Sequence, residues 1–184
     1  DSGVKFGTWG DGSPRPAPTL FVLSGTIQET LGNPYYRQSG NLLAEEGYLC
    51  VSVDLPCHGL EQRADEPSGL AGWRFRAERH EDFVTEAVSR LKRVLDHLIE
   101  TGRADAARVA ACGTSRGGFI ALHFAARDNR IKCVAAFAPV TDLEALREFH
   151  GLEQDPHTLS LAISRQAEQL AGRAVWLTIG DQDG

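Results

Sequence analysis

The stretch Gly113-Thr114-Ser115-Arg116-Gly117-Gly118 leaves this chain few ways to fold. Arg108-Val109-Ala110-Ala111-Cys112 leads into it and reads as a short buried strand. Phe119-Ile120-Ala121-Leu122-His123-Phe124-Ala125-Ala126 leads out of it and reads as a helix. Ser115 therefore lies at a strand-to-helix reversal. In a chain with 19 glycines the pentapeptide G-x-S-x-G is weak by itself; the apolar strand before it and the apolar helix after it give it meaning. The requirement is steric. A side chain at the apex of so tight a turn stands clear of the sheet only on a strained backbone. Gly113 and Gly117, lacking Cβ, let strand and helix approach closely. The hydroxyl then projects at the carboxyl end of the sheet, near the first free N–H groups of the helix, where negative charge is stabilised. The competing reading is an ordinary strand-turn-helix connection with Ser115 as N-cap.

The surrounding pattern supplies a sheet for that turn. Residues 1–18 form a Gly- and Pro-rich N-terminal segment in which residues 4–9 alternate as a strand would. Residues 19–23 are a continuous apolar run, hence a central strand, ending in Ser24-Gly25-Thr26-Ile27. Asn33-Pro34 opens a helix and Gly47 closes it, with Leu42, Leu43 and Tyr36 on its buried side and Gly40 weakening it. Residues 48–54 form the next strand and deliver the loop Leu55-Pro56-Cys57-His58-Gly59. The polar residues 61–76 read as a surface loop. Residues 78–101 read as a helix, with Phe83, Val84, Ala87, Val88, Leu91, Val94, Leu95 and Leu98 at helical intervals. Beyond the elbow come a strand at 133–138, an excursion at 139–157, a helix at 158–171 and a last strand at 174–179. Apolar strands alternating with helices predict an α/β fold, a mostly parallel sheet with helices on both faces, in a single domain over residues 1–184.

Charge and cysteine usage narrow the function. A net charge of −6 without a basic cluster argues against nucleic acid or an anionic membrane as partner. No apolar run approaches the roughly 20 residues that span a bilayer, and the sequence given contains no signal peptide, which favours a soluble, cytoplasmic protein. The first residue is Asp1, so removal of an upstream piece is expected. Cys50, Cys57, Cys112 and Cys133 lack metal or redox spacing; three lie in strand-like runs and read as buried, while Cys57 sits in a loop beside the site. No motif calls for a cofactor or a metal, and the glycine-rich turn lacks both G-x-G-x-x-G and the P-loop lysine of nucleotide-binding folds.

With its elbow, its Ser24-Gly25-Thr26 loop and its Gly180-x-x-Asp183 after the last strand, the chain from residue 19 onward resembles the α/β-hydrolase family. Ala138-Pro139-Val140-Thr141-Asp142 brings it nearest the dienelactone-hydrolase and prolyl-oligopeptidase-like branches. The resemblance implies Ser115 as nucleophile and the backbone N–H groups of Thr26 and Arg116 as oxyanion donors. Ser-Gly stands where relatives often have His-Gly, which leaves a backbone donor intact. It implies Asp183 as the triad acid, with Asp181 and Asp142 as alternatives; Asp142 reads better as a helix cap. Asp54 is expected to tie down its own loop. The Arg116 guanidinium is expected to pair with a neighbouring acid, with a substrate carboxylate as the alternative.

The general base is missing from this pattern. The family carries its histidine after one further strand, and His58, His80, His97, His123, His150 and His157 all lie elsewhere. The catalytic histidine is therefore expected outside these residues, in a continuation past Gly184 that would also cover apolar surface near Trp176 and Leu177. The resemblance implies a serine hydrolase working through an acyl-enzyme, most simply a carboxylic ester hydrolase on a small-molecule ester. Peptidase and thioesterase chemistry share the machinery. The alternative is a hydrolase-fold ligand-binding protein that has lost its base.

Overall fold

The apolar runs pair into one six-stranded sheet in the computed structural model, which describes residues 2–180. In chain order the strands are β1 (Gly7–Trp9), β2 (Ala17–Leu23), β3 (Leu49–Ser52), β4 (Ala104–Thr114), β5 (Ile131–Phe137) and β6 (Ala174–Thr178). They lie in the order β1-β3-β2-β4-β5-β6, with β1 antiparallel to β3 and every other pairing parallel. The chain runs outward from β2 to β3, then crosses back to β4 on the other side of β2. That reversal opens a crevice at the carboxyl ends of β2 and β4, where open α/β sheets bind their ligands. Leu23 pairs with Gly113, so the loops leaving β2 and β4 emerge side by side.

Seven helices accompany the strands among the described residues: α1 (Ile27–Gly32), α2 (Pro34–Glu45), α3 (Gly69–Ala77), α4 (Phe83–Glu100), α5 (Arg116–Arg127), α6 (Pro156–Ser160) and α7 (Ala167–Leu170). None is long and apolar enough to cross a membrane. The predicted face of α4 is buried in full, from Phe83 to Leu98. It packs with α5 against Phe21, Leu23, Val51, Ala111 and Val134. Phe21 meets Phe124 of α5 edge-to-face at 5.3 Å. The opposite face carries a much smaller cluster, in which Leu20, Val22, Cys50 and Cys112 meet Leu43 and Ala44 of α2.

Several elements differ from the sequence reading, each for a local reason. Residues 61–76 are no surface loop. They contain α3, whose Trp73 is wholly buried and whose Arg76 is offset by Glu66 at 2.7 Å. The helix predicted from residue 78 starts at Phe83, because Asp82 caps it by accepting from Thr85 N. The helix predicted over 158–171 is broken into α6, a 3-10 turn and α7, since Ile163 N bonds Thr141 O and His123 bonds Leu161 O across the break. The unpredicted α1 follows β2, capped by Thr26. In α2, Leu42 faces solvent, whereas Gly40 is the buried residue. A Cβ there would collide with the Trp9 ring, so the glycine that weakens the helix also seats it on β1. Cys133, expected inside, is exposed on the sparsely covered face of β5.

Candidate active site

Ser115 has φ 52° and ψ −117°, a conformation that costs a non-glycine residue roughly 1–3 kcal/mol. Its neighbours hold it there. Ser115 N donates to Phe137 O at 2.9 Å, and Ser115 O accepts from Phe119 N at 3.2 Å and Val140 N at 3.3 Å. The side chain is exposed and makes no capping bond to α5, so the N-cap alternative fails. The flanking glycines are needed as the spacing predicted. A Cβ on Gly113 would strike the backbone of Gly117, and one on Gly117 would strike the Leu23 carbonyl at the end of β2.

The loop after β2 is folded by its own hydroxyls. Thr26 Oγ1 accepts from Glu29 N at 3.0 Å, and Thr30 Oγ1 donates to Thr26 O at 2.8 Å. Having spent its proton there, the Thr30 hydroxyl accepts from Ser24 Oγ at 2.5 Å. Ile27 N is taken by Asp54 Oδ1 at 2.6 Å. The N–H groups of Thr26 and Arg116 are left without a hydrogen-bond partner among the described residues. They follow the ends of adjacent parallel strands, where Leu23 pairs with Gly113.

The segment after β3 forms the third wall. Asp54 does more than brace its own loop: besides Ile27 N it accepts from Leu60 N at 2.9 Å, linking the wall to the Thr26 loop. Pro56 O accepts from both Trp73 Nε1 and His58 Nδ1 at 2.8 Å. Burial holds the His58 imidazole below its usual range, with the nearby Arg116 guanidinium acting in the same sense. Cys57, in the same turn, is wholly buried and its thiol is pushed up to about 12 by that burial, which removes it as a nucleophile. Beside Thr26 an open cleft of about 480 Å³ is bordered by Lys5, Phe6, Gln28 and Leu60.

Comparison with known proteins places the chain in a family. Residues 34–169 match the prolyl oligopeptidase family. The chain belongs to that family. Hydrolyase poxO of Penicillium oxalicum is 30% identical over 131 residues, covering 70% of this chain and 28% of its own. The chain thus spans under a third of that relative's length. Among solved structures, a putative acetyl xylan esterase from Bacteroides fragilis superimposes with a TM-score of 0.68 at 15% identity, over 95% of this chain and 55% of the other. An S-formylglutathione hydrolase from Agrobacterium tumefaciens does so with a TM-score of 0.63 at 20% identity, over 96% and 80%. These likenesses establish the α/β-hydrolase fold.

Within this prolyl oligopeptidase-family chain the remaining candidates separate clearly. Asp183 and Asp181 lie outside the described residues. Asp142 turns back on its own loop, where Oδ1 accepts from Glu144 N at 3.2 Å. It caps this turn, and no helix starts at Leu143 as the sequence had suggested. His123 is fully buried against Phe119 and bonds Leu161 O at 2.9 Å; desolvation lowers its pKa to about 4. His97 packs on Phe6, and His150 is exposed beside Glu153. His58 lies beside Gly25 and Gly69, in the loop next to Thr26. Arg116 makes no ion pair with a described acid, against the sequence expectation, because its guanidinium lies over Gly69. Sequence reasoning missed Asp54 as a bridge between two loops; its place at the end of a buried strand was the available signal.

Proposed function

We propose that this protein is a serine hydrolase that cleaves small carboxylic esters through an acyl-enzyme on Ser115. The observation that carries the reading is Ser115 itself, held at positive φ with a free hydroxyl. Two unpartnered backbone N–H groups at neighbouring strand ends support it. Ser115 Oγ attacks the ester carbonyl and gives its proton to the general base. The N–H groups of Thr26 and Arg116 receive the negative charge that develops on the carbonyl oxygen. The tetrahedral adduct collapses, the alcohol leaves with the proton, and water repeats the sequence to free the acid. In this reading Asp183 orients the base, with Asp181 second, and the base is a histidine outside this stretch of sequence. His123 is spent on Leu161 O and His150 lies out beside Glu153, whereas His58 keeps a free Nε2 that no described contact brings to Ser115. Catalysis here needs no cofactor.

In the full natural protein, Ser115→Ala should lower ester turnover by about ten-thousand-fold or more while leaving the circular dichroism spectrum unchanged. Turnover that survives the substitution would remove Ser115 as nucleophile. A parent protein that turns over no ester, thioester or peptide would instead favour a ligand-binding role for the same crevice.

A further inference from the structure

Beside Ser115 the fold holds two side-chain nitrogens that it leaves unsatisfied. Arg116 Nε is buried without a partner, and no described carboxylate pairs with the guanidinium. His58 is only 9% exposed; its Nδ1 is bonded to Pro56 O, and its Nε2 has no partner. Both converge on one small space. A Cβ placed on Gly69 would lie 3.0 Å from Arg116 Nη1 and 3.8 Å from His58 Nε2. Gly69 has φ 65° and is fixed by its N–H bond to Cys57 O at 2.9 Å, so the space is kept open by a residue suited to that conformation. A buried guanidinium Nε and a buried ring nitrogen without partners are each unfavourable, and together they fit a group that arrives with the substrate.

We propose that Arg116 and His58 form a carboxylate subsite, so that the preferred ester carries a free carboxylate near the scissile bond. The proposal rests on Ser115 being the reacting residue. Arg116 supplies the charge and a planar donor fork suited to a carboxylate. His58 donates Nδ1–H to Pro56 O, so its neutral ring presents a lone pair at Nε2. An incoming anion favours protonation there, and the imidazolium then donates to it. The charged groups around the ring act on that proton in both senses: Glu29 of α1 and Asp54 after β3 favour it, and Arg116 of α5 opposes it. Glu29 Oε2 borders Gly25 next to His58 Cδ2, so the chain's own carboxylate lies by a different atom of the His58 ring from the Nε2 that meets the Gly69 space.

The test is calorimetric titration of the full natural protein carrying Ser115→Ala with monoethyl succinate and, separately, ethyl butyrate. Because nothing turns over, a failed hydrolase reading does not silence it; fluorophosphonate labelling of the parent reports that reading independently. The monoester should bind at least about tenfold more tightly than the uncharged ester. Adding Arg116→Gln should abolish the preference and Arg116→Lys should keep part of it. The preference should also strengthen from about pH 8 to about pH 6, and adding His58→Gln should flatten that profile. Equal affinities, no binding of the monoester at millimolar concentration, or a preference that survives Arg116→Gln would overturn the subsite. A profile that is flat with His58 present would remove His58 from it.

Discussion

The two faces of the sheet are built to different standards. On one, α4 and α5 bury Phe21, Leu23, Val51 and Ala111 in a continuous core that extends to Trp73 and Phe149. On the other, α2 covers four buried residues, and an open groove of about 420 Å³ runs past Leu20, Leu43, Ala110 and Cys133 to Trp176. Trp176 is 67% exposed there, as the sequence led one to expect. Ser115 belongs to the well-packed half. Its strained backbone is held where Gly113 meets Gly117 and Gly117 meets the end of β2. A residue that must keep an unfavourable conformation needs neighbours that cannot relax, and this face supplies them.

The contrast can be broken most forcefully at Trp73, whose ring packs at a tilt against Phe83 and Phe119 and whose Nε1 donates to Pro56 O beside His58. Trp73→Ala should cost about 3–5 kcal/mol in urea denaturation, because it empties the core under the site. A loss below about 1 kcal/mol would show the core to be plastic.

A pH titration of stability probes the same face through His123. Its ordinary pKa is 6.5 and its folded value about 4, so between those values the unfolded chain binds more protons. The stabilisation is full above pH 6.5 and lost as the pH falls toward 4, by up to roughly 3 kcal/mol. His123→Gln should flatten the stability curve across that window; an unchanged slope would mean that the ring is not held neutral.

At the edge of the site the effects become smaller. Thr26→Ala removes the α1 cap and should cost about 1 kcal/mol of stability, with little change in turnover if only the backbone N–H acts. A large loss of turnover at unchanged stability would assign a catalytic role to the hydroxyl. On the open face, Trp176→Ser should alter stability by less than about 0.5 kcal/mol and lower the tendency to self-associate, read by light scattering. A cost comparable to that of Trp73→Ala would erase the distinction between the faces.

How much of this was legible in the sequence follows the same division. β2, β4, β5 and the buried stripe of α4 were readable because burial on that face imposes an apolar pattern. The elbow was readable because backbone contact leaves room only for glycine at 113 and 117. α3 was not, since its buried Arg76 and the Glu66 that offsets it look like surface charge until the fold pairs them. The break after Ser160 was equally hidden: no Gly or Pro marks it, and its cause is a carbonyl taken by a histidine 38 residues away. At the candidate site, sequence singled out Ser115, Thr26 and Arg116 as candidates but not the Asp54 bridge or the convergence of His58 and Arg116 on Gly69. Those depend on loops meeting in space.

The most direct measurement is the mass of the protein after exposure to a fluorophosphonate, followed by peptide mapping of the adduct. The account predicts a single phosphonylated residue, Ser115, in the full natural protein, and no adduct after Ser115→Ala. Labelling elsewhere with Ser115 untouched, or no labelling of a protein that turns over esters, would contradict it.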